Sequence, residues 1–124
     1  MIFIDNTYLT ALLIRDHINH DRAVELKNRL REKRVINDIV IIKTLEIFVK
    51  NGGKVTPELL EFLVESSEFI PLSQEDYQKS AEYYRKIRDY NACTILHTML
   101  QNNITKIASF NPVFDRVDEV ERIF

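Results

Sequence analysis

Residues 91–117 read NACTILHTMLQNNITKIASFNPVFDRV. Ile95, Met99 and Leu100 recur at helical spacing behind Asn91, which predicts a helix starting at Asn91. Lys106-Ile107-Ala108-Ser109-Phe110 predicts a strand, and Val120 to Ile123 a last, edge strand. A helix followed by a short apolar strand is the repeating unit of an α/β fold. The question is whether the rest of the chain repeats it.

It does. Ile2-Phe3-Ile4-Asp5 is an apolar run that suits a buried parallel strand. A short helix is expected from about Thr7, and a second over residues 19–33, with Ala23, Leu26 and Leu30 at helical spacing and Asn19 as its cap. Arg34 to Asn37 is a short strand. A third helix runs from Asn37 or Asp38 to Lys50, with Ile39, Ile42, Leu45 and Val49 on one face and Asn51-Gly52-Gly53 as its stop. Thr56-Pro57-Glu58 opens another helix, since threonine caps, proline suits the first turn and glutamate meets the positive end of the dipole. Glu68 to Leu72 is a strand closed by Pro71, and Ser73-Gln74-Glu75-Asp76 opens a long helix in a near capping-box pattern. Such alternation predicts helices around a mostly parallel sheet with right-handed crossovers. Ligands of such sheets sit beyond the carboxyl ends of the strands. Asp5, Asn37-Asp38 and Asn111 stand there.

Composition narrows the function classes. The chain has 124 residues, 45% hydrophobic and 29% charged, which suits one domain, residues 1–124, with one core. A net charge of -2 gives no bulk attraction to nucleic acid. The one dense basic cluster, Arg29, Arg31, Lys33 and Arg34, reads as a solvated helix end. Cys93 is the sole cysteine, so an intrachain disulfide is excluded and a reducing cytoplasm is the expected setting. With no CxxC, HExxH or His/Cys cluster, a structural zinc site is not expected. MIFID does not read as a signal peptide, and no apolar run is long enough to span a membrane.

Three segments together resemble a known family. Met1 to Ala23, MIFIDNTYLTALLIRDHINHDRA, resembles the opening of PIN domains, in which a strand ends in aspartate, a Ser/Thr/Asn pair follows and an Asn-His-x-x-Ala segment begins the second helix. Ile36 to Leu45, INDIVIIKTL, resembles the helix after the second strand. Residues 91–117 resemble the closing pattern of an acidic helix start, a strand and a Ser/Thr-Phe-Asp-x-x-Phe-Asp turn. The resemblance spans nearly the whole chain and is to the small, VapC-toxin type. It implies a three-layer α/β/α sandwich with a five-stranded parallel sheet ordered 3-2-1-4-5. It further implies Mg²⁺ or Mn²⁺ on three or four carboxylates, hydrolysis of single-stranded RNA, a homodimer and an antitoxin partner.

Carried over position by position, the acids are mostly replaced. Asp5 matches the first. Lys43 stands at the second, usually glutamate; Asn91 at the third and Asn111 at the fourth, both usually aspartate. A site of charge about -4 becomes about zero, because Lys43 offsets Asp5. Asparagine can offer a metal a neutral oxygen, but not the charge that favours dehydrating a divalent ion. Glu46, three residues after Lys43, and Asp115, four after Asn111, are the substitute ligands within reach. Asp89 is expected to point elsewhere and Asp38 to cap the third helix. The Lys43 ammonium is expected beside Asp5 in place of a metal, with the Asn91 and Asn111 amides donating to the remaining lone pairs. His20, His97, Cys93 and Tyr77, Tyr83, Tyr84 and Tyr90 read as capping or packing residues. The resulting expectation is a catalytically impaired PIN protein that serves as a binding or assembly partner or is a relic toxin. The alternatives are an active Mg²⁺- or Mn²⁺-dependent endoribonuclease using Asp5 with Glu46 or Asp115, and a structural subunit that dimerises with an intact PIN protein.

Overall fold

The structure is a computed structural model and describes residues 1–124. Five strands, β1 (Ile2–Ile4), β2 (Arg34–Asn37), β3 (Glu68–Ile70), β4 (Lys106–Ala108) and β5 (Glu121–Ile123), form one sheet ordered β3-β2-β1-β4-β5, every pair parallel. The helices are α1 (Asn6–Leu13), α2 (His20–Arg29), α3 (Asp38–Lys50), α4 (Pro57–Glu65), α5 (Gln74–Ser80), α6 (Tyr84–Ile87) and α7 (Tyr90–Gln101). Right-handed crossovers send the connections that step leftward from β1 over one face and those that step rightward from β3 over the other, giving three layers. None of the helices is long and apolar enough to cross a membrane.

The centre of the sheet explains its sequence. β1 is buried at every residue because it has strands on both edges and helices on both faces. Ile2, Phe3, Ile4, Val35, Ile36 and Ile107 join Tyr8, Leu26, Ile95, Met99 and Phe114 in a single core. Burying one such side chain fully is worth about 1.5–3 kcal/mol. Cys93 is buried among them as a small apolar residue. The edge strands β3 and β5 are more exposed.

Several local expectations need correction. Asn19 stands at the start of α2 but makes no side-chain cap; its N–H donates instead to His17 Nδ1 at 3.0 Å. His20 ties α2 to α1 through Nδ1 and the Ala11 carbonyl oxygen, 2.8 Å apart. α3 is capped by Asn37, whose Oδ1 accepts from Val40 N, while Asp38 accepts from Leu72 N. Asn37 also donates to Thr98 Oγ1 on α7 at 3.0 Å. That anchor sets the rotation of α3, so Val40 and Thr44 face inward while Ile42 and Val49 are exposed. Among the tyrosines, Tyr83 packs on the core but Tyr84 and Tyr90 are exposed. The stop at Asn51-Gly52-Gly53 is as expected: Gly52 takes φ +87, and a Cβ on Gly53 would strike the Phe48 ring.

The helix predicted from Ser73 is interrupted. Its start is the full capping box, with Ser73 Oγ accepting from Asp76 N and the Asp76 carboxylate accepting from Ser73 N. Ser80 Oγ then donates back to the Asp76 carbonyl oxygen, a bond that competes with the helical ladder, and α5 ends. A 3-10 turn, Ala81–Tyr83, leads to α6, which stops at Arg88 in the left-handed region with φ 57. The other Asp76 oxygen lies 2.8 Å from Nε2 of the buried His97, docking α5 on α7.

The Ser73 N–H, followed by the His97 bond, holds the Asp76 carboxyl below its ordinary value. A lowered value means the folded state binds this proton less readily than the unfolded one. The stabilisation is therefore complete above the ordinary aspartate range and lost as pH falls through the folded value. Asp76→Ala is expected to destabilise by about 1–2 kcal/mol at pH 7, from the lost cap and the orphaned His97. In thermal melts the gap to the parent protein should shrink below about pH 4; a gap that is constant with pH would refute this account.

Candidate functional site

The order of strands reverses between β1 and β4, and the crevice beyond their carboxyl ends is where an open α/β sheet places ligands. Asp5 leaves β1 there. Its N–H is held by the Ala108 carbonyl oxygen of β4 at 3.1 Å, and its carboxylate caps α1. Asn111 follows β4 and caps the 3-10 turn Pro112–Arg116 through Oδ1, which accepts from Val113 N at 3.0 Å. Asn91 is the second residue of α7, and Lys43 lies on α3. These four residues, far apart in sequence, line one small cleft of about 90 Å³ together with Asn6, Thr7, Asp89, Ala92, Ile95 and Phe114.

Asp5 is 2% exposed, and its oxygens are fully engaged by neighbours. Oδ1 accepts from Asn6 N at 2.8 Å. Oδ2 accepts from Thr7 Oγ1 at 2.7 Å and Ser109 Oγ at 2.6 Å. The Asn6 amide, in the orientation that satisfies both its ends, adds a fourth donor to Oδ1 at 2.8 Å. Four donors fill the acceptor capacity of a carboxylate. Burial pushes the Asp5 carboxyl up from its ordinary value, against the opposing pull of Ser109, Thr7 and Asn6.

Lys43 is not the group that satisfies Asp5. Its ammonium lies 3.6 Å from Glu46 Oε2, and no ion pair with Asp5 forms. Neither Asn91 nor Asn111 donates to Asp5. The expected arrangement is corrected for a local reason: hydroxyls and N–H groups one, two and 104 residues away reach the carboxylate first. Glu46 is drawn off as well, bridging Lys43 and Lys50 on the outer turn of α3. Asp115 turns away from the cleft, both oxygens 2.9 Å from the Arg122 guanidinium. Neither substitute ligand lines the cleft.

Asp89 does. It precedes α7 in extended conformation, φ -139 and ψ 105, so helical spacing from Asn91 does not apply to it. One oxygen accepts from Ala92 N at 3.1 Å, and the residue borders the same space as Asp5. The pattern Asp-x-x before a helical run was the available signal for a cap. Thr7 and Ser109 were also missed as functional groups, although each stands in a motif that carried the resemblance. The cleft thus combines two carboxylates, one ammonium and three side-chain amides, which leaves one negative charge when both acids are ionised.

A divalent magnesium or manganese ion is held by several carboxylates around open coordination positions. In this chain no three His, Cys, Asp or Glu residues cluster closely enough to hold a metal ion. The lone pairs of Asp5 are already committed to donors, and an ammonium shares its cleft. The donor set does not fit a multi-carboxylate centre.

The PIN domain family model matches residues 2–120. Comparison with curated protein sequences gives no match. Among solved structures, the chain is similar to the crystal structure of VapC20 of Mycobacterium tuberculosis, a sarcin-ricin loop cleaving toxin, with a TM-score of 0.85 at 13% sequence identity over 95% of both chains. At that identity the likeness is one of fold, and it extends to the five-stranded parallel sheet and its helices. With a family match over almost its full length and the crevice of that fold beside Asp5, this chain belongs to the PIN domain family.

Proposed function

We propose that this chain is a VapC-type PIN protein whose metal-dependent ribonuclease centre is impaired, and that it acts as a binding or assembly partner, or persists as a relic toxin. The observation that carries this reading is the Asp5 carboxylate, satisfied by four protein donors in a cleft where Lys43, Asn91 and Asn111 stand at the other positions matched to acids. An ion entering would have to displace those donors and approach an ammonium, with little negative charge to offset its dehydration. With no ion to activate water, RNA is a ligand that this reading has the protein hold rather than cut. An antitoxin-like protein is a further partner of this fold type. The competing reading, an active Mg²⁺- or Mn²⁺-dependent endoribonuclease acting on single-stranded RNA, is favoured by Asp89, which brings a second carboxylate to Asp5.

Thermal melting with and without Mn²⁺ separates the two. The parent protein should show no metal-induced rise and no RNA cleavage above a matched control. Lys43→Glu combined with Asn91→Asp recreates acid repulsion that a cation relieves, so this variant should melt lower without metal and recover with it, as a ligand binding only the folded state requires. A rise in the parent protein that Asp5→Asn abolishes would establish a working metal site and the nuclease reading.

The raised Asp5 carboxyl gives a second check. Its folded value lies above the unfolded one, so folding takes up a proton between them, and stability falls as pH rises through that window. Asp5→Asn should remove this component, so the difference in melting temperature between variant and parent should change with pH from about 4 upward. Parallel pH profiles would contradict it.

A homodimer is proposed as the assembled form. α4 buries only Leu63, while Leu60, Phe62 and Val64 remain exposed on a short helix. Light scattering at high micromolar concentration should give a dimer that Phe62→Glu dissociates. A monomer under those conditions would refute it.

A further inference from the structure

We propose that the hollow beside the Asp5 cleft is a nucleobase subsite, which seats one unstacked base while its phosphate lies toward Lys43 and Asn111. This rests on reading RNA as a ligand that the impaired centre holds and does not cut. The hollow is about 280 Å³, the size for one planar heterocycle, and is lined by Thr7, Thr10, His17, Asn19, Ile47 and Phe110. It neighbours the cleft along two residues. Thr7 borders both spaces, and Phe110 in the hollow is followed directly by Asn111 in the cleft. A base and its own phosphate can therefore occupy neighbouring sites.

The lining matches the chemistry of a base. Single-stranded nucleic acid is held by stacking on aromatic side chains and by hydrogen bonds to the base edges. Phe110 and Ile47, both half-buried, supply apolar surface. His17 Nδ1 accepts the Asn19 N–H at 3.0 Å, so the proton of the neutral ring resides on Nε2, a donor left without a protein partner. The Asn19 side-chain amide is likewise uncommitted and offers both a donor and an acceptor. In the wall, Thr10 is 3% exposed and its hydroxyl has no partner. A buried hydroxyl without a hydrogen bond is unfavourable, and a polar ligand edge reached by a rotamer change would relieve it. Thr7, by contrast, is fixed, donating to Asp5 and accepting from Phe110 N at 2.9 Å.

Charge decides how the affinity divides. Two carboxylates against one ammonium leave the cleft with one negative charge, so the phosphate gains little there. Binding must come mainly from the base, and it should depend only weakly on salt, unlike the steep dependence of proteins that neutralise many phosphates.

The test uses the full chain, with fluorescence anisotropy of an end-labelled, mixed-sequence single-stranded hexaribonucleotide and amide NMR shifts with adenosine or cytidine 5′-monophosphate against ribose 5-phosphate. The hexamer should bind, and His17→Ala and Phe110→Ala should each weaken it about tenfold. Phe110→Tyr should retain binding, and melting curves should show each variant folded. Both nucleotides should shift the amides of His17, Asn19 and Phe110, and ribose 5-phosphate should leave them unmoved. Hexamer binding that ignores His17 and Phe110, or a sugar phosphate as effective as a nucleotide, would overturn the subsite and leave the RNA-ligand reading standing. Mononucleotide binding through these residues without hexamer binding would keep the subsite, as one for free nucleotides, and remove that reading. No binding of either probe overturns the subsite, while the metal melts independently judge the impaired centre.

Discussion

The Asp5 carboxylate is withdrawn from water at the end of the central strand, and what makes that tolerable arrives from separate stretches of chain. A buried charge without partners costs far more than a single hydrogen bond returns. Asn6 and Thr7 come from the turn into α1, and Ser109 comes from the end of β4. Ser109 is itself held: its N–H donates to the Ile123 carbonyl oxygen of β5, and its carbonyl oxygen accepts from Arg122. Arg122 is clamped by Asp115 and stacked 3.7 Å over the Phe124 ring. The edge strand thus supports the cleft although it touches no part of it. Register, the β4 turn and the α1 cap are aspects of one hydrogen-bonded unit.

Lys43 shows why proximity within a cleft is not pairing. An ammonium near a buried carboxylate gains Coulomb energy only by shedding water. Glu46 offers a partner at the surface, one helical turn away, at no such cost. The carboxylate, already holding four donors, has nothing left to offer. Hydrogen bonds of fixed geometry therefore win over a charge pair that looks stronger on a sequence diagram.

Elements set by local chemistry were legible in the sequence. The strand Ile2–Ile4, the Thr56-Pro57 start, the Ser73 capping box and the Gly52-Gly53 stop each depend on residues within one turn of one another. So was the meeting of Asp5, Lys43, Asn91 and Asn111, because resemblance supplied the order of strands. What was not legible depends on distant partners. The inward face of α3 is fixed by Asn37 reaching Thr98, 61 residues on, and so the apolar run Ile39 to Val49 could not reveal which residues turn outward. The helix after Ser73 breaks where Ser80 bonds back to the ladder, a choice that propensity does not encode. Asp89 escapes helical spacing because it stands just outside the helix, in extended backbone.

Of the four matched positions, only the one at Asp5 has a structural duty that calls for a carboxylate. Asn111 caps its turn through a carbonyl oxygen, which an amide supplies as well as an acid. Asn91 sits in the first turn of α7, where Asp89 already provides the cap. At residue 5 the demands are different. Thr7 Oγ1 accepts from Phe110 N and Ser109 Oγ accepts from Asn111 N, so each hydroxyl has its proton to donate, and both point at one carboxylate oxygen. An asparagine there would offer one oxygen for four donors and bring two donors of its own. The donors of the crevice therefore favour a carboxylate at residue 5, while nothing in its hydrogen bonding calls for one at residues 43, 91 and 111, where further carboxylates would repel in the absence of a cation. The fold and a cleft with amides or lysine at those three positions are therefore compatible, because the carboxylate that the hydrogen bonds call for is Asp5 itself.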